Sequence, residues 1–136
     1  MTAKAHILIA DDDPALREVT RRALEGAGYT TVQAANGREA LDLARQHQPE
    51  LVLMDVNMPE MDGFEAMRAL KADPSTAAAY VVIVSGSRVD ADSRIHGLET
   101  GADGYITRPI SNRELLARVQ AMLRIKAAED SARRKE

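Results

Sequence analysis

Four aspartates stand at the ends of two short apolar runs, where a strand would pass into a loop. Asp11, Asp12 and Asp13 follow the first run, and Asp55 follows Leu51–Met54. If the runs are neighbouring strands, two of the first three carboxylates crowd against Asp55. Two unit charges about 4 Å apart repel by ~1 kcal/mol in water and ~4 kcal/mol at an effective dielectric constant of about 20. Bound protons or a cation would relieve that repulsion. Carboxylates that leave room for water suit Mg²⁺, and less selectively Mn²⁺ or Ca²⁺, so the pattern predicts a metal or phosphate site.

Two further polar side chains follow strand candidates. Ser85 ends the apolar run that begins at Tyr80, and Arg108 follows a short run that ends at Thr107. In an open parallel sheet, ligands bind beyond the carboxyl ends of the strands, where the strand order reverses. With a metal, Arg108 would neutralise phosphoryl oxygens and Ser85 would donate a hydrogen bond to one of them. Asp55 is then either a metal ligand only or the nucleophile that accepts the phosphoryl group.

Each of these residues also has an ordinary structural explanation. Asp13 before Pro14 is typical of a helix N-cap followed by proline at the first helical position, so no chemistry is assigned to Asp13. A serine after a strand commonly belongs to a turn, and an arginine is commonly a solvated surface charge. The prediction of a site therefore rests on two acidic strand ends meeting at one point of the sheet.

Short apolar runs alternate along the chain with segments of helical periodicity. The first helix is expected to carry Leu16, Val19, Ala23, Leu24 and Ala27 on one face. Strands that are apolar on both faces and separated by helices indicate a parallel sheet covered on both sides. The expected fold is α/β, a doubly wound flavodoxin-like (βα)5 domain with a five-stranded parallel sheet of order 2-1-3-4-5. The expected strands are Ile7–Ala10, Thr30–Ala34, Leu51–Met54, Tyr80–Val84 and Asp103–Thr107.

The remaining helices have their own boundary signals. Asn36-Gly37 precedes the second helix and Asp73-Pro74 stops the third. A fourth helix is expected from about Val89 to Thr100. The capping-box pattern Ser111–Glu114 begins the last one.

Composition excludes several classes of protein. The 136 residues contain 45% hydrophobic and 29% charged side chains, which indicates one globular domain rather than disorder. We expect one domain over 1–125 and a charged helical extension or linker over 126–136. The absence of cysteine excludes disulfides, thiolate zinc sites and cysteine nucleophiles. The longest apolar run, Ala77–Val84, is too short to span a membrane. A net charge of -3 and 3% aromatic residues do not favour nucleic-acid binding. A cytoplasmic location without a membrane or nucleic-acid partner is expected.

Four stretches of this sequence match a known family. They are Ile7–Pro14, Leu53–Gly63, Val82–Gly86 and Gly101–Pro109, and they occur in the family's order and spacing. On these residues the chain resembles the receiver domain of two-component response regulators, over residues ~5–125. The second stretch, Leu-Met-Asp-Val-Asn-Met-Pro-Glu-Met-Asp-Gly, is highly specific.

The resemblance implies a role for each acidic residue at the site. Asp55 is similar to the phosphoacceptor, which takes a phosphoryl group from the phosphohistidine of a histidine kinase or phosphotransfer protein. Asp12 and Asp55 resemble direct Mg²⁺ ligands, with the backbone carbonyl of Asn57 as a third. Asp11 would hold the metal through water. The acyl phosphate is labile, so the domain would also catalyse its own dephosphorylation.

The resemblance also implies a switch. Ser85 matches the hydroxyl that bonds the phosphoryl oxygen, and Tyr105 matches the aromatic that swings inward once Ser85 has moved. Gly86 matches the small residue that leaves the acyl phosphate accessible, and Pro109 should follow a cis peptide bond. Phosphorylation would then shift the packing of the face built from helix four, strand five and helix five, where a downstream output protein or domain binds.

Two positions depart from the family pattern. The family nearly always has lysine where Arg108 stands, and arginine is longer, planar and forked. Arg108 could pair with Asp55 or Asp12 and slow phosphorylation, or it could be simple drift in a chain that has fourteen arginines and four lysines. Regulators that dimerise through helix four, strand five and helix five usually carry an acid where Gly104 stands. A homodimer through that face, with an Arg94–Glu114 pair across it, is still an alternative.

Three other functions are alternatives for this sequence. An aspartate-nucleophile phosphatase of the haloacid dehalogenase type would need a second aspartate where Asn57 stands. A flavin carrier would need aromatic stacking residues and a Ser/Thr-rich phosphate loop. A docking module that works without phosphorylation is the more serious alternative, because of Arg108.

Overall fold

The computed structural model describes residues 5–56, 58–86 and 101–134. Strands and helices alternate up to residue 86, and a fifth strand and a last helix follow in 101–134. The helix expected over 89–100 lies outside the described residues, so the label α4 belongs to the fifth of the expected helices. The elements are β1 (His6–Ala10), α1 (Pro14–Gly26), β2 (Thr30–Ala34), α2 (Gly37–His47), β3 (Leu51–Asp55), α3 (Gly63–Ala72), β4 (Tyr80–Ser85), β5 (Gly104–Thr107) and α4 (Asn112–Arg134).

The sheet has five parallel strands in the order β2-β1-β3-β4-β5. This is the doubly wound order that the alternating apolar runs predict, and the prediction is confirmed. The register pairs Ala10 with Met54 and Asp55 with Val84. The carboxyl ends of β1, β3 and β4 therefore meet at one edge of the sheet, at the point where the order reverses.

Two apolar layers cover the two faces of the sheet. One face packs against α2 and α3, with Ala40 and Met67 among the buried helix residues. The other packs against α1 and α4, with Leu24 and Val119 fully buried. Because both faces are covered, β1, β3 and β4 are apolar at consecutive positions rather than alternating.

Short polar side chains begin each described helix, and the sequence signals indicate two of them, Asp13 and Ser111. Asp13 accepts hydrogen bonds from the backbone N–H of Ala15 and Leu16, which confirms it as the cap of α1. Asn36, Asp62 and Ser111 accept from a backbone N–H three residues later in the same way. These caps fix where each loop at the carboxyl edge becomes a helix.

The apolar face expected for α1 is exposed in its first half. Leu24 is fully buried, but the side chains of Leu16 and Val19 remain 41% and 51% exposed. Thr20, which the apolar pattern passed over, is buried instead, and its hydroxyl donates to the carbonyl of Leu16. The C-terminal half of α1 packs on the sheet, whereas its first turns border an open groove.

The C-terminal helix α4 runs without a break to Arg134. Lys126 is buried, and its Nζ lies 2.7 Å from Asp130 Oδ2, one turn further along the helix. Burial raises the pKa of Tyr80, at the start of β4, and a hydrogen bond between Tyr80 and Glu129 adds to the rise. The extension therefore contacts the amino edge of the sheet. In the part of the chain that the structure describes, no helix is both long and apolar enough to cross a membrane.

Candidate functional site

Three carboxylates gather at the carboxyl edge of β1 and β3. One oxygen each from Asp11, Asp12 and Asp55 lies within 4.8 Å of the other two. The cluster forms because β1 and β3 are neighbours, Asp11 and Asp12 directly follow β1, and Asp55 is the last residue of β3. Asp11 is buried, Asp12 is exposed and Asp55 is partly buried. The predicted crowding of two acidic strand ends is confirmed.

The backbone and one side-chain oxygen of Asp11 are held by hydrogen bonds. Its N–H donates to the carbonyl of Ala34 at 3.0 Å, and its Oδ1 accepts from the N–H of Asp13 at 2.9 Å. Nη1 of Arg17 donates to its carbonyl at 2.7 Å. Sequence reasoning did not single out Arg17. Its one sequence signal is its position in α1, six residues after Asp11.

The other oxygen of Asp11 makes no hydrogen bond. Oδ2 is buried and finds no donor of suitable geometry among the described residues. A buried carboxylate oxygen without a hydrogen bond is costly and calls for a ligand. Together with two further carboxylates within 4.8 Å, this oxygen makes the donor set fit a hydrated divalent cation such as Mg²⁺.

Arg108 lies beside the same oxygen. Its Nη1 is 2.9 Å from Asp11 Oδ2, as an ion pair without hydrogen-bond alignment. The Arg108 side chain is 22% exposed. This contact joins Arg108 to Asp11, a partner that sequence reasoning did not consider. The Arg108–Pro109 peptide bond is cis, as the family resemblance predicts.

Ser85 and Tyr105 are joined at the neighbouring strand ends. Ser85 Oγ and the Tyr105 hydroxyl are 2.9 Å apart and form a hydrogen bond. Ser85 is buried, and its carbonyl accepts from the N–H of Arg108 at 2.7 Å. Tyr105 therefore already points inward toward Ser85. Ser85 is thus the last residue of β4, Tyr105 lies within β5, and Arg108 directly follows β5.

The backbone after Asp55 is packed tightly against α3. A Cβ added to Gly63 would lie 2.2 Å from the carbonyl oxygen of Asp55. The N–H of Gly63 donates to the carbonyl of Val56 at 2.9 Å. Glycine at the first position of α3 therefore lets the helix approach the strand end that carries Asp55. Sequence reasoning quoted Gly63 in a motif without assigning it this contact. Asn57, the expected third metal ligand, lies outside the described residues.

An open groove begins at the acidic cluster and runs between α1 and the start of α4. Asp11, Asp55 and Arg108 line one end of it. The rest of its lining is mostly apolar and includes the exposed side chains of Leu16 and Val19. Asp55 is therefore accessible from solvent through this groove and lies next to its apolar surface.

Comparisons with known proteins agree with this geometry. A family model described as "Response regulator receiver domain" matches residues 7–120. The response regulator MprA of Mycolicibacterium vanbaalenii is 43% identical over 126 residues, which cover 93% of this chain and 53% of that protein. MprA of Mycobacterium bovis is 41% identical over the same length and is 54% covered. The chain spans about half the length of these curated relatives.

Solved structures show the same similarity. The chemotaxis protein CheY4 of Vibrio cholerae superposes with a TM-score of 0.82 at 30% identity, over 88% of this chain and 99% of that one. The receiver domain of a histidine kinase from Syntrophus aciditrophicus gives 0.80 at 36% identity, over 88% and 90%. By the family match, the relatives and the fold together, the chain belongs to the response regulator receiver domains of two-component signalling.

Proposed function

We propose that this receiver domain accepts a phosphoryl group on Asp55 from a phosphohistidine of a histidine kinase or phosphotransfer protein. The observation that carries the proposal is the meeting of Asp11, Asp12 and Asp55 within 4.8 Å. The cationic side chain of Arg108 lies at the same edge, and the backbone N–H of Arg108 donates a hydrogen bond to the carbonyl of Ser85. Paired acids, a cation and a hydroxyl at one strand edge are what phosphoryl transfer onto a carboxylate needs.

Mg²⁺ fits this donor set. Asp12, Asp55 and the backbone carbonyl of Asn57 would hold it directly, and Asp11 would do so through water. When bound, the ion neutralises charge on the transferring phosphoryl group. Its affinity for the site is supported by the buried Asp11 oxygen that lacks a hydrogen bond.

The residues of the chain perform the transfer by position and charge. An Asp55 carboxylate oxygen forms a bond to phosphorus as the bond from phosphorus to the donor histidine nitrogen breaks, and that nitrogen keeps the electron pair. Ser85 donates to a phosphoryl oxygen while it accepts from the Tyr105 hydroxyl. Arg108 supplies positive charge beside the same oxygens. Attack of water on phosphorus later regenerates the Asp55 carboxylate.

The phosphodonor is proposed to dock on the groove beside Asp55. The exposed side chains of Leu16 and Val19 offer it an apolar surface next to the reactive carboxylate. Burial of such side chains would hold the donor histidine in reach of Asp55 and exclude water from the transfer.

Tyr105 is proposed to transmit the effect of phosphorylation to the surface of the domain. Its hydrogen bond to Ser85 connects the phosphorylation site with β5, and Arg118 of α4 approaches the Tyr105 carbonyl at 3.5 Å. Phosphorylation would shift the population of packings on this face, where an output protein, an output domain or a second copy binds. Glu114 pairs with Arg118 on its own helix, so a cross-subunit pair through Glu114 would have to displace that contact.

A docking module that works without phosphorylation is the second candidate. Arg108 favours it, because its guanidinium already partly neutralises the cluster through Asp11. The two candidates differ in whether Asp55 gains a phosphoryl group.

The test is incubation with acetyl phosphate and Mg²⁺ followed by intact-mass measurement. The wild-type chain should gain the mass of one phosphoryl group, and the Asp55→Asn variant should show no gain. Asp13→Asn is the matched control, because asparagine is as good a helix cap as aspartate and Asp13 has no proposed chemistry. A mass gain that persists in Asp55→Asn, or no gain in the wild type, would contradict the proposal.

A further inference from the structure

Arg17 binds to the backbone of the acidic site rather than to its carboxylates. Nη1 of Arg17 donates to the carbonyl of Asp11 at 2.7 Å. Within the described ranges, no carboxylate lies close enough to Arg17 for a salt bridge. A guanidinium that contacts a carbonyl in an acidic site, and not an acid, orients the backbone there more than it neutralises charge.

The Asp11 carbonyl lies where the sheet stops supplying donors. β2 ends at Ala34, whose own carbonyl accepts the N–H of Asp11. Asp11 is buried, and a buried backbone carbonyl without a donor is costly. Arg17 supplies the donor from the first turns of α1, while its backbone N–H donates to the carbonyl of Asp13 at 2.9 Å. Arg17 therefore holds the loop between β1 and α1 at two points.

The contact fixes the peptide that joins two of the three clustered acids. The carbonyl of Asp11 and the N–H of Asp12 belong to one planar unit, so a bond that orients the carbonyl also orients the start of Asp12. The Asp11 side chain has its own hydrogen bond, from the N–H of Asp13 to Oδ1. Asp12 is exposed, so its approach to Asp55 within the 4.8 Å cluster depends on this peptide.

We propose that Arg17 is a positioning residue, which raises the affinity of the acidic site for a divalent cation by orienting the peptide between Asp11 and Asp12. This inference rests on the metal site of the proposed function. Its sign is distinctive, because loss of a positive charge near carboxylates would by itself strengthen binding of a divalent cation. Partners that orient metal ligands contribute about 10–100-fold to metal affinity. We expect the lower end, about tenfold, because Arg17 contacts the backbone and not a ligand atom.

Binding of Mn²⁺ to the intact chain, followed by electron paramagnetic resonance of the free ion, separates orientation from charge. Arg17→Met removes the charge and the donors but keeps an unbranched stem, and it should weaken Mn²⁺ binding about tenfold. Arg17→Lys restores one donor and the charge, and it should bind within about threefold of wild type. Arg22→Met is the matched control, because it removes one positive charge from an exposed side chain of the same helix and should leave the affinity unchanged.

A second measurement needs no metal. In a ¹⁵N–¹H spectrum, the Asp12 amide signal should shift in Arg17→Met and stay in place in Arg22→Met. Mn²⁺ affinity in Arg17→Met equal to or tighter than that of wild type would overturn the inference and leave the metal site standing, even where urea unfolding shows lower stability. An unmoved Asp12 amide signal would overturn it too. Absence of Mn²⁺ binding by the wild-type chain would overturn the proposed metal site and this inference with it.

Discussion

Replacing Gly63 by alanine tests whether the approach of α3 to Asp55 is as tight as the structure shows. The new Cβ would meet the Asp55 carbonyl oxygen at 2.2 Å, with the Asp55 carbonyl carbon and Val56 Cα at 3.0 Å. All three are backbone atoms, so no side-chain rotation relieves the contact. Overpacking of this kind costs about 1–3 kcal/mol, and the helix-propensity gain at a terminal position is under ~1 kcal/mol. We expect a net loss of about 1–2 kcal/mol in the free energy of unfolding.

Urea denaturation followed by circular dichroism measures this loss, with Gly26→Ala as the control. Gly26 is the last residue of α1, and an added Cβ would meet nothing within 4 Å. The same substitution there should be neutral or stabilise by up to ~1 kcal/mol. Gly63→Ala should also slow phosphorylation, since its strain is relieved by moving the Asp55 backbone. Equal stability of the two variants would refute the close-approach argument.

Three further predictions concern hydrogen bonds and charge. Tyr105→Phe removes the partner of Ser85 and should cost about 1 kcal/mol in urea unfolding, while shortening the lifetime of the phosphorylated form; an unchanged lifetime would contradict the proposed support of Ser85. Hydrogen bonds from Arg21 and then Arg22 lower the pKa of Glu18 to about 2. Glu18 therefore stabilises the fold above the pKa that it has in the unfolded chain, and this contribution is lost as the pH falls toward 2. An NMR titration should show that midpoint, and Arg21→Gln should raise it; an unmoved midpoint would contradict the assignment. Asp103→Ala removes the acceptor of the Val81 N–H at the start of β4 and should destabilise by about 1–3 kcal/mol in the same urea assay; an unchanged free energy of unfolding would contradict the role given to this hydrogen bond.

The sheet and the acidic cluster could be predicted from sequence because both follow from one short-range signal. An apolar run in a parallel sheet must be buried on both faces, and the residue after it must lie at the carboxyl edge. Asp11 and Asp55 follow such runs, so their meeting needed only the strand order. The helix caps Asp13 and Ser111 are equally local.

The features that sequence did not reveal depend on contacts between distant elements. Periodicity placed Leu16 and Val19 on an apolar face, but it could not show that the sheet surface ends beneath the middle of α1. The partner of Arg108 depends on how a long side chain after β5 crosses to β1. Lys126 is buried because α4 runs past the sheet's amino edge, and a charged segment gives no local sign of that.

The position of the phosphoryl group on the chain decides whether Asp55 is the phosphoacceptor. Borohydride reduction of the chain treated with acetyl phosphate and Mg²⁺ converts a phosphorylated aspartate to homoserine, which peptide mass mapping locates. The account predicts homoserine at position 55, with none at positions 11, 12 or 13 and none when a chelator replaces Mg²⁺. Homoserine at another aspartate, or at position 55 without a divalent ion, would contradict it.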